Sequence, residues 1–494
     1  MRFIYQLIKL RFLTPRSLLL LFKAKRLHGN NLCFLLKYAA DRYAGKIAIT
    51  DGIYQVNFKK LYKDVLNLSA VIHHKINLEG DSVAILVCGN SINHIITKYA
   101  IQNLGIKIIL VNQKAHINEI IRIRNNQSKP CSLFSTEATH LVLENAVNID
   151  NLITISQVGI KEHIIKKKYA AVIFPTSGTT GNAKLIEKKT GVFYWLRTFT
   201  DLVIKTGIYK KDSVYISIPV SHGFGYTALF FALVLGKKAM VTNEKDQSQI
   251  ANRIIKEEIE LLAGVPTSLY QIAESLKGSM HNICLVISGG APLNEIILQS
   301  ITSNLGTTNI FSLYGSTEAS TSFIADYNQL KKNICALGKP LKGVKYRLEP
   351  LPAGGKELLI QSHLANISTD SWIHTGDLAE EDKQGYLSWC GRKDNMILKG
   401  GVNIYPAEIE NEMHRIGSIE DVLVMGQKEN LKGEIIIAFV KMKPATDFNE
   451  QQLKNQLKQF LPGIKIPDKI YQTALFEYTS TGKKVKPLLP NPTH

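Results

Sequence analysis

Runs of apolar, β-branched residues alternate along the chain with segments in which apolar residues recur at helical spacing. Asp81–Val87 predicts a buried strand, and Asn93–Leu104 predicts the helix that follows it. The same pair recurs as a strand at Lys107–Val111 and a helix at His116–Asn125. Strands that alternate with helices favour parallel sheets with helices packed on their faces. Further apolar runs of this kind are found at Tyr169–Phe174, Ser213–Ile218 and Ile283–Ser288.

The pattern changes after about Gly391. One helical segment, two strand-like runs and a polar, Gln-rich helical segment follow in that order, at Pro406–Ile416, Val422–Met425, Glu434–Met442 and Glu450–Phe460. A length of 494 residues exceeds the size at which one hydrophobic core stops growing, so we expect at least two domains. The change of pattern predicts their boundary between Gly391 and Asp394.

The composition is that of a soluble globular protein, with 45% hydrophobic and 20% charged residues. The apolar stretch Ser17–Phe22 is far too short to span a bilayer, and it lacks the length and the cleavage site of a signal peptide. The cysteines are scattered without a close pair at metal-ligand spacing, which predicts buried thiols in a reducing cytosol. They are Cys33, Cys88, Cys131, Cys284, Cys335 and Cys390.

The net charge of +19 is consistent with a Lys-rich soluble surface, or with polyanionic partners such as ATP, coenzyme A, an acidic carrier protein or an anionic membrane. No nucleic-acid-binding motif accompanies the charge, so we expect no nucleic-acid partner. Residues 1–30 contain seven basic residues and no acidic one, interspersed with bulky apolar residues. Such a segment either packs on its own domain as a short helix, which we rank first, or lies on a membrane surface.

Small hydroxyl residues, glycines and a lysine follow the apolar run that ends at Phe174. Glycines let backbone N–H groups approach a phosphate, hydroxyl groups donate further hydrogen bonds, and a lysine supplies a positive charge. A Walker A loop is excluded, because Gly181 follows Gly178 after only two residues and is not itself followed by lysine. The stretch nevertheless has the composition of a phosphate-binding loop.

The stretch Thr176–Lys184 resembles the phosphate loop of the adenylate-forming superfamily, which includes acyl- and aryl-CoA synthetases, adenylation domains of peptide synthetases and firefly luciferase. Ala183 replaces the proline of the family pattern Thr-Ser-Gly-Thr-Thr-Gly-x-Pro-Lys. The resemblance extends over nearly the whole chain, from about Asn31 to Pro487, with its motifs in the family's order. It implies that ATP phosphates are bound by Thr176, Ser177, Gly178, Thr179, Thr180, Gly181 and Lys184.

Three further motifs resemble parts of the family's substrate and nucleotide pockets. Ile218–Gly225 resembles the segment that lines the acyl pocket, and Ser288–Leu293 resembles the turn on the adenine side. Ser312–Glu318 resembles the segment that holds adenine and magnesium. The resemblance implies that Thr317 bonds the phosphate and that Glu318 binds Mg²⁺, a hard ion that prefers oxygen ligands. It implies an acyl pocket at His222, Phe224 and Gly225. It implies adenine and ribose contacts at Gly289, Gly290, Ala291, Tyr314, Gly315, Asp377 and Arg392.

The C-terminal motifs resemble the family's hinge and its second catalytic segment. In the stretch that begins at Gly391, the resemblance implies that Asp394 is the pivot and that the turn at Gly400 and Gly401 lines the tunnel for the thiol. Thr479–Lys483 resembles the catalytic motif, so Lys483 is implied to bridge the carboxylate and the α-phosphate. Lys486 stands where the family has an arginine, and only Lys483 is therefore assigned a role.

The resemblance implies an α/β fold, with a large N-terminal domain of parallel-rich sheets flanked by helices and a small mobile α+β C-terminal domain. We expect a basic amphipathic segment at 1–30, a large AMP-binding domain at 31–391 and a small domain at 392–494. The implied reaction joins a carboxylate to AMP, using ATP and Mg²⁺, and passes the acyl group to a thiol. Its implied catalytic residues are Lys483, His222 and Thr317.

The choice of acid and thiol depends on weaker features. Pro219–Thr227 contains no acidic residue, which argues against an α-amino acid, and the aromatic and aliphatic residues that follow suggest an apolar pocket for a fatty or aromatic acid. The basic amphipathic N-terminus favours a fatty acid. The segment between Ile360 and Trp372 is shorter than in related enzymes, which leaves a phosphopantetheinylated acyl carrier protein, or release of the adenylate, as alternatives to coenzyme A. An inactive binding homologue and a luciferase-like oxygenase are further alternatives. We expect a cytoplasmic protein, with peripheral contact to the inner membrane face left open.

Overall fold

The computed structural model describes residues 7, 9–10, 12–29, 31–76, 78, 82–136, 145–157, 171–176, 184–188, 192–352, 354–362, 371–429, 433–477, 484–485 and 487. In this part of the chain the helices are α1 Pro15–His28, α2 Cys33–Arg42, α3 Phe58–Ile76, α4 Ile92–Asn103, α5 Ile117–Asn125, α6 Ile149–Ser156, α7 Val192–Thr206, α8 Gly223–Val234, α9 Gln247–Lys256, α10 Pro266–Ser275, α11 Glu295–Leu305, α12 Tyr327–Lys332, α13 Pro406–His414 and α14 Glu450–Leu457.

The strands of the same residues are β1 Ile47–Thr50, β2 Gln55–Asn57, β3 Val83–Cys88, β4 Lys107–Asn112, β5 Cys131–Ser135, β6 Val147–Asn148, β7 Val172–Thr176, β8 Lys184–Lys188, β9 Ser213–Ile216, β10 Lys238–Met240, β11 Leu261–Gly264, β12 Leu285–Gly289, β13 Ile310–Ser316, β14 Ser320–Asp326, β15 Ala336–Pro340, β16 Val344–Pro350, β17 Lys356–Ser362, β18 Ile373–Glu381, β19 Leu387–Arg392, β20 Ile397–Lys399, β21 Val402–Ile404, β22 Ile419–Glu429, β23 Gly433–Met442 and β24 Lys469–Gln472.

Two sheets make up the N-terminal part of the molecule. Among the described residues, the larger has 13 strands in the order β16-β17-β18-β19-β15-β14-β13-β12-β11-β9-β10-β1-β2. Its β13-β12-β11-β9-β10-β1 section is parallel, whereas the strands from β13 to β16 pair antiparallel. The smaller has six described strands in the order β6-β5-β3-β4-β7-β8, and only β8 runs antiparallel. The predicted α/β class with parallel-rich sheets is confirmed.

Helices α3, α4 and α8 fill the space between these two sheets. Their buried faces join one hydrophobic core with side chains from both sheets, such as Leu86 of β3 and Ile216 of β9. β3 is buried at every position, as expected for a parallel strand covered on both faces. The core therefore fixes how the carboxyl ends of the two sheets meet, which is where ligands bind in open α/β folds.

The residues after Asn395 form a third sheet. Its described strands lie in the order β21-β20-β23-β22, and β24 pairs with β23. Helices α13 and α14 cover it around a separate hydrophobic core. The predicted C-terminal elements are present, but the last helix ends at Leu457 instead of Phe460, because Lys458–Phe460 turn away. The domain limits at 31, 391 and 392 and the hinge at Asp394 stay predictions.

The N-terminal helix and the cysteines complete the description. Helix α1 packs on the domain through Ser17, Ala24 and His28, as the higher-ranked interpretation predicted. No helix in the described ranges is both long and apolar enough to cross a membrane.

The six cysteines are free thiols, but only Cys33 and Cys88 are buried. The other four, which lie within or just before strands, are partly exposed, so the prediction of buried thiols was wrong for them.

Candidate active site

Polar side chains join the carboxyl ends of the two N-terminal sheets. Asn90, just after β3, donates its amide to Ile218 O at 3.2 Å and accepts the Val220 N–H at 2.8 Å. Asn112 ends β4, and its amide nitrogen lies 3.3 Å from His222 Nε2. These bonds hold the 218–222 segment of the larger sheet against the smaller one. The structure thus places the predicted acyl-pocket segment at the junction of the sheets.

His222 is the residue that precedes helix α8. Its partner Asn112 was not predicted, because nothing in the sequence connects two residues that lie 110 positions apart. Burial lowers the pKa of His222 from its usual value near 6.5, so the imidazole is neutral at pH 7. The neutral imidazole therefore adds no charge to the partial positive charge of the helix N-terminus.

Two predicted glycines permit close packing around helix α8. A Cβ on Gly225 would lie 2.3 Å from Pro219 O, so only glycine fits at that position. A Cβ on Gly289, the last residue of β12, would lie 2.8 Å from the Phe224 ring and 3.2 Å from Leu313 O. Gly289 and Phe224 are therefore in direct contact, and the predicted adenine-side turn adjoins the predicted acyl pocket.

The turn between β13 and β14 carries the predicted magnesium ligand. A Cβ on Gly315 would lie 2.2 Å from Ser320 O, so glycine is required where the two strands close. Ser316 Oγ accepts the Ala319 N–H at 3.0 Å and fixes the turn. Thr317 and Glu318 are partly exposed at its tip.

A magnesium ion fits the chemistry of this turn. Within the described residues Glu318 forms neither a hydrogen bond nor an ion pair, so its carboxylate is available to a ligand. Mg²⁺ is commonly bound by one or two carboxylates together with substrate phosphates and water. No described group of three acidic, histidine or cysteine side chains could hold a metal by itself, so the phosphates of a nucleotide would have to supply the other ligands.

Asp377 lies at the centre of a hydrogen-bonded cluster. Tyr314 Oη donates to Asp377 Oδ2 at 2.7 Å, and Trp389 Nε1 donates to Oδ1 at 3.1 Å. Arg392 Nη1 lies 3.4 Å from Oδ1. Burial, together with the Asp377 carboxylate, raises the pKa of Tyr314 well above its usual value, so the phenol stays protonated. The structure brings together three predicted nucleotide-binding residues, and it adds Trp389, which the sequence analysis missed.

Arg392 is held beside Asp377 by contacts with Thr375 and Gly376, the two residues that precede Asp377 in the chain. Its Nη1 donates to Thr375 O at 2.7 Å, and its Nη2 lies 3.8 Å from Asp394 Oδ2. Gly376 has φ +70°, and a Cβ there would lie 2.9 Å from Arg392 Nη2, so glycine is needed for this approach. The predicted pivot thus contacts the predicted ribose-binding arginine.

Glu357 is a second residue that the sequence analysis missed. Its side chain is 4% exposed, and its Oε2 lies 3.3 Å from Lys393 Nζ. Its Oε1 accepts the Gly376 N–H at 3.2 Å and lies 3.4 Å from His374 Nδ1. Burial acts to raise the pKa of Glu357, but these donors outweigh it and leave the pKa lowered. The ionised carboxylate links Gly376, which precedes the predicted ribose-binding Asp377, to Lys393, which precedes the predicted pivot.

The predicted thiol-tunnel turn stands apart from this cluster. Gly400 and Gly401 join β20 to β21 with φ +56° and +79°, and a Cβ on either would meet no atom within 4 Å. The C-terminal unit touches the larger sheet elsewhere: Asn411 of α13 lies 3.0 Å from Cys335 Sγ.

Part of the predicted site lies outside the described residues. These predicted residues are Ser177, Gly178, Thr179, Thr180, Gly181 and Lys483. Thr176 and Lys184 pair across the antiparallel strands β7 and β8, and the predicted phosphate-binding segment lies between them in the sequence. Phe174 of β7 packs against Tyr226 of α8, with ring centroids 5.5 Å apart, which places the start of that segment beside the acyl-pocket helix. Gly290 has φ +85°, and Ala291 is partly exposed after β12.

Comparisons with known proteins identify the family of this chain and related folds. Residues 36–358 match the family model of the AMP-binding enzyme, and residues 408–483 match that of the AMP-binding enzyme C-terminal domain. A 2-succinylbenzoate--CoA ligase of Oceanobacillus iheyensis is 26% identical over 80% of this chain and 85% of that protein.

Two solved structures of the o-succinylbenzoate CoA synthetase (MenE) from Bacillus subtilis share the fold at 22% identity. One is a complex with the acyl-adenylate intermediate, with a TM-score of 0.78 over 91% of this chain and 96% of that one. The other is a complex with ATP and magnesium, with a TM-score of 0.77 over 91% and 97%.

Proposed function

Because the chain belongs to the AMP-binding enzyme family, we propose that it is an acid–CoA ligase that activates a carboxylic acid with ATP and transfers the acyl group to coenzyme A. The Asp377 cluster carries the proposal. A carboxylate has about four lone-pair positions, and Tyr314 and Trp389 occupy only two of them. The remaining positions suit the two ribose hydroxyls of a nucleotide, an interaction that acidic residues make in other nucleotide-binding folds.

In the first step, an oxygen of the substrate carboxylate attacks the α-phosphorus of ATP, and pyrophosphate leaves. No general base is needed, because the carboxylate is already ionised at pH 7. The protein's task is to position the reactants and to stabilise charge on the phosphate oxygens. We assign this task to Lys184, Thr317 and Lys483, with His222 beside the acid. Magnesium, held by Glu318, supplies further charge neutralisation when it is bound.

In the second step, the coenzyme A thiolate attacks the acyl carbonyl and AMP leaves. The acyl-adenylate is a reactive mixed anhydride, so the site has to exclude water between the steps. We propose that the C-terminal unit rotates about Asp394, which withdraws Lys483 and brings Gly400 and Gly401 to the site. In support, Lys393, the residue before the pivot, pairs with Glu357, and the Glu357 carboxylate also accepts the Gly376 N–H.

An aryl acid of the 2-succinylbenzoate type is the first candidate for the substrate. The named relatives act on that compound, and the expectation of a fatty acid finds no support among them. Coenzyme A is likewise the acceptor in their names, and an acyl carrier protein finds no support. We propose that the partly exposed ring of Phe224, which contacts Gly289, stacks against an aromatic ring of the substrate.

Pyrophosphate release tests the proposal. The protein is incubated with ATP, Mg²⁺ and a panel of aryl acids, including 2-succinylbenzoate, and of fatty acids from short to long, with and without coenzyme A. We expect acid-dependent release, stimulated by coenzyme A, that is highest with an aryl acid. Asp377→Ala is the negative control. Protein that binds ATP but releases no pyrophosphate with any acid would instead support an inactive homologue.

The assignment of the two steps has its own test. We expect Lys483→Ala to abolish adenylate formation while retaining thioester formation from a supplied acyl-adenylate. Asp394→Pro is expected to do the reverse, because proline restricts the pivot. Equal loss of both steps in Lys483→Ala would contradict the role assigned to that lysine.

A further inference from the structure

The outer face of helix α1 (Pro15–His28) combines exposed apolar and basic side chains. Leu18, Leu19 and Phe22 are 47%, 52% and 66% exposed, although large apolar side chains are usually covered. At about 100° per residue these three side chains fall on one arc of the helix. This arc is opposite the buried face formed by Ser17, Ala24 and His28, so it points directly away from the protein.

Basic residues flank the apolar arc. Arg16 and Lys23 lie on one side of it and Lys25 on the other, while Arg26 lies within it, and all four are exposed. Helix α1 contains no acidic residue that could neutralise them. Long basic side chains can extend past an apolar surface and keep their charges in water. This distribution is typical of a helix that lies in the plane of a membrane interface.

Helix α1 is a fixed part of the fold. Thr14 Oγ1 caps it by accepting the Ser17 N–H at 3.2 Å, and Arg42 of α2 donates to Ser17 Oγ at 2.8 Å. Its inner side chains share a hydrophobic cluster with Phe199 and Phe230. The outer face is therefore formed before any partner binds, and docking requires no folding of the helix.

We propose that this outer face docks on the surface of an anionic lipid bilayer. The apolar arc supplies area that the bilayer can bury, and the flanking cations are attracted to the lipid phosphates. A nucleic acid would leave Leu18, Leu19 and Phe22 in water. A second copy of this face would oppose like charges. The helix lies on the bilayer and does not cross it. The inference is independent of the proposed reaction, because docking requires neither ATP nor acid.

Vesicle flotation with the full-length protein tests the proposal. We expect the protein to float with vesicles of phosphatidylcholine and phosphatidylglycerol, and to remain at the bottom with phosphatidylcholine alone. The combined change Leu18→Ser, Leu19→Ser and Phe22→Ser is expected to reduce the floated fraction at least tenfold. Its matched control changes Ile53→Ser and Tyr54→Ser, which are equally exposed but lie outside α1.

The charges are tested separately. Arg16→Gln, Lys23→Gln and Arg26→Gln together are expected to abolish flotation. The same number of changes at the exposed Lys59, Lys331 and Lys332 is expected to leave it intact. We expect each variant to fold, because all changed side chains are on the surface. Thermal unfolding checks that they do. The proposal is overturned if wild-type protein does not float, if it floats equally with uncharged lipid, or if the α1 variants float like wild type. Self-association in solution that the serine variant abolishes, without flotation, would assign the face to a second copy.

Discussion

Tyr314 and Asp377 are 63 residues apart in the chain, yet the phenol hydroxyl donates a 2.7 Å hydrogen bond to the carboxylate. This bond connects β13 with β18, two strands that are not neighbours in the sheet. The same carboxylate accepts from Trp389 of β19. One acidic side chain therefore holds together an aromatic ring, an indole and an arginine that the proposed nucleotide site requires.

Replacing Asp377 tests this site directly. Asp377→Ala removes the acceptor of Tyr314 and Trp389 and the proposed partner of the ribose hydroxyls, so we expect ATP to bind at least tenfold more weakly, which corresponds to about 1.4 kcal/mol or more. Isothermal titration calorimetry measures the change. The control is Glu349→Ala, which removes a largely exposed carboxylate whose one ion-pair partner in the described part of the chain is Arg347. Unchanged ATP affinity in a folded Asp377→Ala protein would remove the basis of the proposed function.

Lys98 predicts an unusual dependence of stability on pH. This buried lysine lies 3.9 Å from the Tyr99 ring centroid and 4.5 Å from that of Tyr226, and its ammonium has no hydrogen-bond partner among the described residues. Burial lowers its pKa to about 7. The unfolded chain, with its higher pKa, binds a proton between about pH 10 and pH 7 while the folded protein does not. Stability therefore decreases as pH falls through this range and stays low below it.

Lys98→Met removes that penalty. We expect the variant to be more stable than wild type by a few kcal/mol at pH 7, with the difference shrinking as pH approaches 10. Urea unfolding at several pH values measures both proteins, and Lys60→Met serves as an exposed control. The same slope of stability against pH in wild type and Lys98→Met would show that the buried amine does not titrate as its surroundings indicate.

The ion pair of Glu357 with Lys393 stabilises the folded protein, whereas buried Lys98 destabilises it. The contribution of the ion pair also depends on pH. Lys393→Met leaves the buried carboxylate of Glu357 with fewer donors. We therefore expect the free energy of unfolding at pH 7 to fall by about 1–2 kcal/mol. The lowered pKa of Glu357 means that its contribution is complete above the usual carboxyl pKa. It is lost as pH falls through the lowered folded value, so the variant and wild type converge in acid. Urea unfolding against Lys356→Met, an exposed neighbour, measures the effect, and a constant difference down to low pH would contradict it.

Gly289→Ala tests the wall of the acyl pocket. The new methyl would lie 2.8 Å from the Phe224 ring, so the ring has to move. We expect the KM for the acid to rise severalfold. The control is Gly417→Ala, where a Cβ meets no atom within 4 Å. Pyrophosphate release at varied acid concentration and saturating ATP gives this KM, and equal values in wild type, Gly289→Ala and Gly417→Ala would place Phe224 away from the substrate.

Much of the fold could be predicted from local pattern. The alternation of β3, α4, β4 and α5 appeared at nearly its observed limits, because buried parallel strands and amphipathic helices leave periodic patterns within a few residues. The motifs at 218–225, 288–293 and 312–318 were found through their resemblance to the adenylate-forming superfamily. Glycines such as Gly225 and Gly315 are required where backbones approach closely, and that requirement is visible in the sequence.

Only the tertiary structure decided which of these local features meet. Asn112 joins His222, Trp389 joins Asp377, and Glu357 joins Lys393, because sheet register and helix packing place them together, and no local pattern encodes that distance. The outward orientation of α1 is a similar case. Its sequence showed a basic, apolar segment and left open which side was covered, and the packing of Ser17, Ala24 and His28 on the domain determined that the apolar arc faces water.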